Sequence, residues 1–106
     1  MPKVFVFKGF SIFIWTNEDG EPVHVHVSRG VPSKSNVKIW LLSDGTFKVQ
    51  KNPDYRIVSA RDLREICLQL PFYQKRILKY WLDRYGFVRY VDTSGEDSES
   101  KTSLFN

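Results

Sequence analysis

Two histidines, His24 and His26, are the side chains in this sequence whose type and spacing could support chemistry. Residues 22 to 28 alternate valines with polar residues, which is the period-2 pattern of a half-buried strand. Both imidazoles therefore belong to one face of that strand, where successive same-face Cα atoms are about 6.5–7 Å apart. Two rings at this spacing could bind one metal ion, which would need further ligands. The candidate carboxylates are those of Glu18, Asp19 and Asp44.

The same two histidines could instead act as general acid and base in RNA cleavage. Paired imidazoles can divide the proton transfers, and a cation then stabilises the charged phosphate. Arg29 and Lys38 are the candidate cations, and Trp40 is an aromatic neighbour of the predicted binding face. No nuclease signature, glycine-rich phosphate loop or nucleophile elbow accompanies them. We therefore favour the plainer interpretation that the histidines cover a sheet face and bind their neighbours, and we expect no cofactor.

The elements that position these residues are predicted from periodicity and from turn residues. Short apolar, β-branched and aromatic runs predict strands over 4–7, 10–15, 22–28, 36–42 and 46–50, and residues 87–91 could add a sixth, edge strand. Ser59 is a good N-cap for a helix with an apolar stripe at i, i+3, i+4 and i+7. Pro71 ends that helix and begins a second one, which stops at Gly86.

These elements predict an α+β domain in which five or six mostly antiparallel strands pack one face against two C-terminal helices. The valine face of the third strand should meet the apolar stripes of both helices, which are Leu63, Ile66, Leu70, Ile77, Leu78 and Trp81. That arrangement leaves His24 and His26 on the far face, beside Lys38 or Trp40. If the far face is apolar and open, it is an interface.

Composition limits the choice of function. A chain of 106 residues with 42% apolar content fits one domain, predicted over residues 1–91. Cys67 is the single cysteine, and the chain lacks an apolar run long enough to span a bilayer, so we expect a cytoplasmic protein with no membrane partner. Residues 1–91 have 15 lysines and arginines against 8 aspartates and glutamates, whereas residues 92–106 have 1 against 4. We expect this acidic, serine-rich tail to be disordered, and the basic body permits contact with a polyanion.

Several motifs, in order along residues 1–86, resemble those of a small, mainly bacterial family classed as a domain of unknown function. The matching segments are Met1-Pro2, Gly9-Phe10, His24-Val25-His26-Val27, Lys38-Ile39-Trp40-Leu41, Ser59-Ala60-Arg61-Asp62-Leu63 and Leu78-Lys79-Tyr80-Trp81. Val23 stands where the family has a second proline, and residues 87–106 are an addition. The resemblance implies a fold and a small companion protein encoded nearby, with a toxin–antitoxin-like pairing. It implies no activity and no catalytic residues.

Our leading hypothesis is a non-enzymatic interaction module that binds a companion protein through the histidine face. Its predicted binding residues are His24, His26, Arg29, Lys38 and Trp40. A nucleic-acid-binding protein or RNase that uses the same residues is one alternative, and a metal-binding protein is another. A homo-oligomer also stays open.

Overall fold

The computed structural model describes residues 2–15 and 20–94, and its first half is an antiparallel sheet. The strands are β1 (Lys3–Phe7), β2 (Phe10–Phe13), β3 (His24–Arg29), β4 (Val37–Leu41) and β5 (Phe47–Val49). Each strand pairs with the next along the chain, so their order in the sheet equals their order in the sequence. At the β1–β2 hairpin, Lys8 and Gly9 both have positive φ, at 51° and 82°. Positive φ at both central residues is the geometry of a type I′ turn, whose twist matches that of the strands.

Helices form the second half of the described chain. They are α1 (Ala60–Gln69), a 3₁₀ turn (Leu70–Tyr73), α2 (Gln74–Tyr85) and a short α3 (Val91–Ser94). The Ser59 hydroxyl accepts a hydrogen bond from the Asp62 amide at 3.1 Å, which confirms the predicted N-cap. Gly86 follows α2 with a φ of 84°, the left-handed conformation that commonly ends a helix. The predicted α+β class and the two C-terminal helices are therefore confirmed.

The predicted sixth strand over 87–91 is wrong. Residues 87–90 have no regular structure, and α3 begins at Val91. The segment makes one backbone hydrogen bond toward the sheet, from the Val23 amide to the Arg89 carbonyl at 2.8 Å. Val23 directly precedes β3, a central strand with neighbours on both sides. The segment therefore crosses the end of the sheet, where no ladder can form, although its apolar residues are typical of a strand.

One face of the sheet forms the core with the helices, as predicted. Val25, Val27 and Ile39 are buried in one apolar cluster with Ile66 of α1 and Ile77 of α2. Two contacts join the helices to the sheet at its β1 edge. Phe5 stacks on Tyr73 with 4.1 Å between ring centroids, and the Arg76 guanidinium donates to the Val4 carbonyl at 2.8 Å.

Candidate functional site

The sheet register brings four of the five predicted binding residues to the second face of the sheet. His24 pairs with Trp40, and His26 pairs with Lys38. Arg29 does not join them, because its position on β3 has the parity of Val25 and Val27. Its guanidinium lies 5.2 Å from the ring centroid of Phe10, its partner on β2.

The second face is closed at the histidines. His24 is 1% exposed and His26 is 4% exposed, although both are polar. The His26 ring packs against Phe13 and Trp15, with centroids at 5.4 Å and 6.0 Å. The His24 ring contacts His26 at 4.8 Å and Trp81 at 5.2 Å. Trp81 was expected among the residues that meet the valine face, and the structure shows that its ring also packs on His24.

Each histidine has a carbonyl-type oxygen beside its Nδ1 atom. His24 Nδ1 lies 2.7 Å from the Pro22 carbonyl oxygen, and His26 Nδ1 lies 2.9 Å from the Asn36 side-chain oxygen. The Asn36 amide nitrogen donates to the Ser33 carbonyl, which fixes its oxygen toward His26. Because both oxygens only accept, Nδ1 carries the proton in each ring. A neutral ring then has its lone pair on Nε2, the same orientation that second-shell carbonyls impose on metal-bound histidines.

Within the described residues, no carboxylate joins these rings in a group that could hold a metal ion. No group of three or more histidine, cysteine, aspartate or glutamate side chains suited to a metal ion occurs among residues 2–15 and 20–94. Asp44 accepts hydrogen bonds from the amide and hydroxyl of Thr46 at 2.9 Å and 2.6 Å, within its own turn. Glu18 and Asp19 lie outside the described residues. Metal binding therefore stays a prediction.

Lys38 and Trp40 form the more open part of the second face. The Lys38 ammonium lies 5.5 Å from the Trp40 ring centroid and 3.3 Å from a Glu21 carboxylate oxygen. Both Lys38 and Trp40 are half-buried. This cation is paired with an anion, so its charge is partly neutralised where it would meet a phosphate.

Two large apolar side chains on the helical layer are highly exposed, and the sequence analysis missed them. Phe72 is 81% exposed and Leu68 is 66% exposed. They are four residues apart across the junction of α1 and the 3₁₀ turn, the spacing that brings side chains toward one face of a helix. Arg64 precedes Leu68 by four residues, and Lys75 follows Phe72 by three. We call Arg64, Leu68, Phe72 and Lys75 the helix-layer patch.

Local structure explains why this patch faces outward. The buried residues of α1 and the 3₁₀ turn are Leu63, Ile66 and Leu70, and Tyr73 stacks on Phe5. Leu68 and Phe72 are offset from that stripe. A sequence signal existed, since large apolar residues off the buried stripe of an amphipathic helix indicate a second contact surface.

Cys67, on the partly buried side of α1, is a poor nucleophile. Burial raises the pKa of its thiol above the ordinary value, so the reactive thiolate is scarce near neutral pH.

The cytoplasmic location stays a prediction. Within the described ranges, no helix is both long and apolar enough to cross a membrane.

Comparison with known proteins identifies the family. The model of a family described as a domain of unknown function, DUF4160, matches residues 9–82. The match covers more than half of the chain, so the chain belongs to this family, which confirms the resemblance to a domain of unknown function. No curated protein matches the chain, and no solved structure matches it.

Proposed function

We propose that this member of the DUF4160 family is a non-enzymatic interaction module that binds a companion protein through its helix-layer patch. The observation that carries the proposal is the exposure of Phe72, at 81%, beside Leu68, at 66%. Single exposed apolar residues are ordinary on protein surfaces, whereas adjoining large ones indicate a contact surface. Phenylalanine is also enriched at the cores of protein interfaces.

The charges around the patch indicate the chemistry of the companion. The described residues hold 15 lysines and arginines against 7 aspartates and glutamates, a net charge of +8. Arg64 and Lys75 flank the two apolar side chains, and within the described part of the chain neither has a carboxylate within 4.0 Å. A complementary surface would present apolar side chains bordered by carboxylates. A second copy of this chain would bring cations against cations, which disfavours self-association through this patch.

Two other surfaces fit a partner less well. The exposed edge of β1 has a register shift between Lys3 and Phe5, and Arg76 already occupies the Val4 carbonyl. Bulges, lysines and capped carbonyls are devices that prevent strand addition at a sheet edge. The histidine face, which the sequence suggested as the binding surface, buries both imidazoles. The proposal therefore moves the contact surface to the helices.

The companion would be a small protein encoded nearby, as the family resemblance implies, and a toxin–antitoxin-like pair is one form of this proposal. Nucleic-acid binding remains the second candidate, favoured by the net charge of +8 on the described residues. RNA would bind in a manner that weakens steeply as salt rises, whereas contact through Leu68 and Phe72 would resist salt.

Site-specific photo-cross-linking in the native host tests the proposal. The photoreactive residue p-benzoylphenylalanine would replace Phe72 in one strain and Val31, which is 71% exposed on the β3–β4 loop, in a control strain. We expect one acidic protein to be cross-linked at position 72 and not at position 31. The pure companion should then bind wild-type protein and lose about tenfold or more in affinity for Leu68→Gln/Phe72→Gln. Equal cross-linking at both positions, or no product at position 72, would refute the proposal.

A further inference from the structure

We infer that residues 95–106 of this chain occupy the helix-layer patch when no companion is bound. This inference rests on the proposed function, because it assigns a second, competing occupant to the same surface. The segment lies outside the described residues, and its sequence has the composition that the patch requires. Three carboxylates, from Glu96, Asp97 and Glu99, precede an apolar pair, Leu104 and Phe105.

The order of charges and apolar groups is complementary on the two sides. The patch offers two large apolar side chains, Leu68 and Phe72, between two cations that lack a described carboxylate within 4.0 Å. Residues 95–106 have three carboxylates against one lysine, Lys101, and so oppose the net charge of +8 on the body. Contact would pair opposite charges and remove apolar surface from water at the same time.

The segment starts close enough to reach the patch. It follows α3, where the Asp92 carboxylate accepts hydrogen bonds from the amide and hydroxyl of Ser43. Two residues further along that turn, a Cβ placed on Gly45 would lie 3.5 Å from the side chain of Gln74. Gln74 begins α2 and is two residues from Phe72. The turn that holds Asp92 of α3 therefore lies close to the start of α2, which follows the patch residue Phe72 in the sequence.

Length permits the same conclusion. Phe105 is eleven positions beyond Ser94, and an extended chain over that interval spans about 36 Å. The dimensions of the protein are 37, 25 and 24 Å, so this reach is about equal to the longest of them. A tethered segment also has an effective concentration in the millimolar range, so a weak contact is enough to fill the patch for much of the time. A companion with higher affinity would displace it.

Zero-length carbodiimide cross-linking of the full chain tests this inference without a companion. The reagent joins a carboxylate to a lysine amine that it contacts, and mass spectrometry identifies the pair. We expect Lys75 to be joined to Glu96, Asp97 or Glu99 in preference to Lys34 and Lys48, two exposed lysines of the sheet half. Leu104→Gln/Phe105→Gln should lower the Lys75 product about tenfold, since it removes apolar burial worth that factor or more.

Two further measurements make the outcome decisive. In an equal mixture of ¹⁴N- and ¹⁵N-labelled protein, the products should contain one isotope only, because the contact is within one chain. Leu68→Gln/Phe72→Gln should lower the Lys75 product to the same extent as the segment variant. An even distribution over Lys34, Lys48 and Lys75, mixed-isotope products, or yields unchanged in both variants would each overturn the inference. Photo-cross-linking of a companion at position 72 would survive such a result, so the two proposals fail separately.

Discussion

Replacing Leu68 and Phe72 with glutamine should weaken binding of the companion about tenfold or more while leaving the fold nearly intact. Full burial of a leucine or phenylalanine side chain stabilises a protein by about 1.5–3 kcal/mol. Phe72 is 81% exposed and Leu68 is 66% exposed, so about a fifth and a third of those values apply. The sum is about 1 kcal/mol. Glutamine has a helix propensity close to that of leucine, which keeps the backbone contribution small.

Urea unfolding followed by tryptophan fluorescence measures this effect. All three tryptophans, Trp15, Trp40 and Trp81, lie outside the patch, so their signals report the fold itself. We expect Leu68→Gln/Phe72→Gln to lower the free energy of unfolding by about 1 kcal/mol with an unchanged slope against urea. A loss above roughly 2.5 kcal/mol, or a changed slope, would show that the two residues support the fold. They would then be structural residues, and the argument for a binding surface would fail.

Three other predictions follow from burial and charge. Trp81→Ala should lower the free energy of unfolding by about 3–5 kcal/mol in urea titrations, because removal of a side chain that is 1% exposed leaves a cavity. A loss under roughly 1 kcal/mol would contradict the place of Trp81 in the core. Cys67 should react with iodoacetamide about tenfold or more slowly in folded than in urea-unfolded protein near neutral pH, because burial raises the pKa of its thiol; equal rates would contradict that burial. The hydrogen bond from Lys8 lowers the pKa of Glu65 below its ordinary value of 4.5. The ionised carboxylate therefore stabilises the fold above pH 4.5, and this stabilisation is lost as the pH falls through the lower pKa of the folded state. Glu65→Gln should therefore reduce the loss of stability between about pH 6 and pH 3, and an unchanged loss in denaturant titrations at the two pH values would count against the pairing.

Local rules of sequence explain why much of the fold was predictable. The valine–histidine alternation of β3, the Ser59 cap and the Gly86 stop depend on neighbours within a few residues, and each lies where the sequence indicated. The parity of β3 was also sufficient to separate Arg29 from the histidines. Side-chain direction alternates along a strand, so residues 24 and 29 cannot share a face.

What covers each surface was not predictable in the same way. The burial of His24 depends on Trp81, 57 residues further along the chain. The burial of His26 depends in part on Trp15, which follows β2. Such contacts are set by tertiary packing, which no local pattern encodes. The failed sixth strand has the same cause, because the alternation of residues 87–91 carries no information about which end of the sheet the chain meets.

The exposed pair on the helical layer was within reach of the sequence and was overlooked. A helix of ten residues with a clean buried stripe has room for polar residues on the other side, and Leu68 is an exception to that pattern. Phe72 follows Pro71 at a helix junction, where its direction depends on the geometry of the 3₁₀ turn. One of the two residues was therefore detectable from periodicity, and the other required the structure.

Native mass spectrometry of untagged protein, purified from its own host, tests the central claim most directly. Wild type, Leu68→Gln/Phe72→Gln and the control Val31→Gln would be compared under identical conditions. We predict the mass of one additional acidic protein on wild type and on Val31→Gln, and its absence from the double variant. A bare monomer in all three preparations, or the same complex in all three, would contradict the assignment of the helix-layer patch as the binding surface.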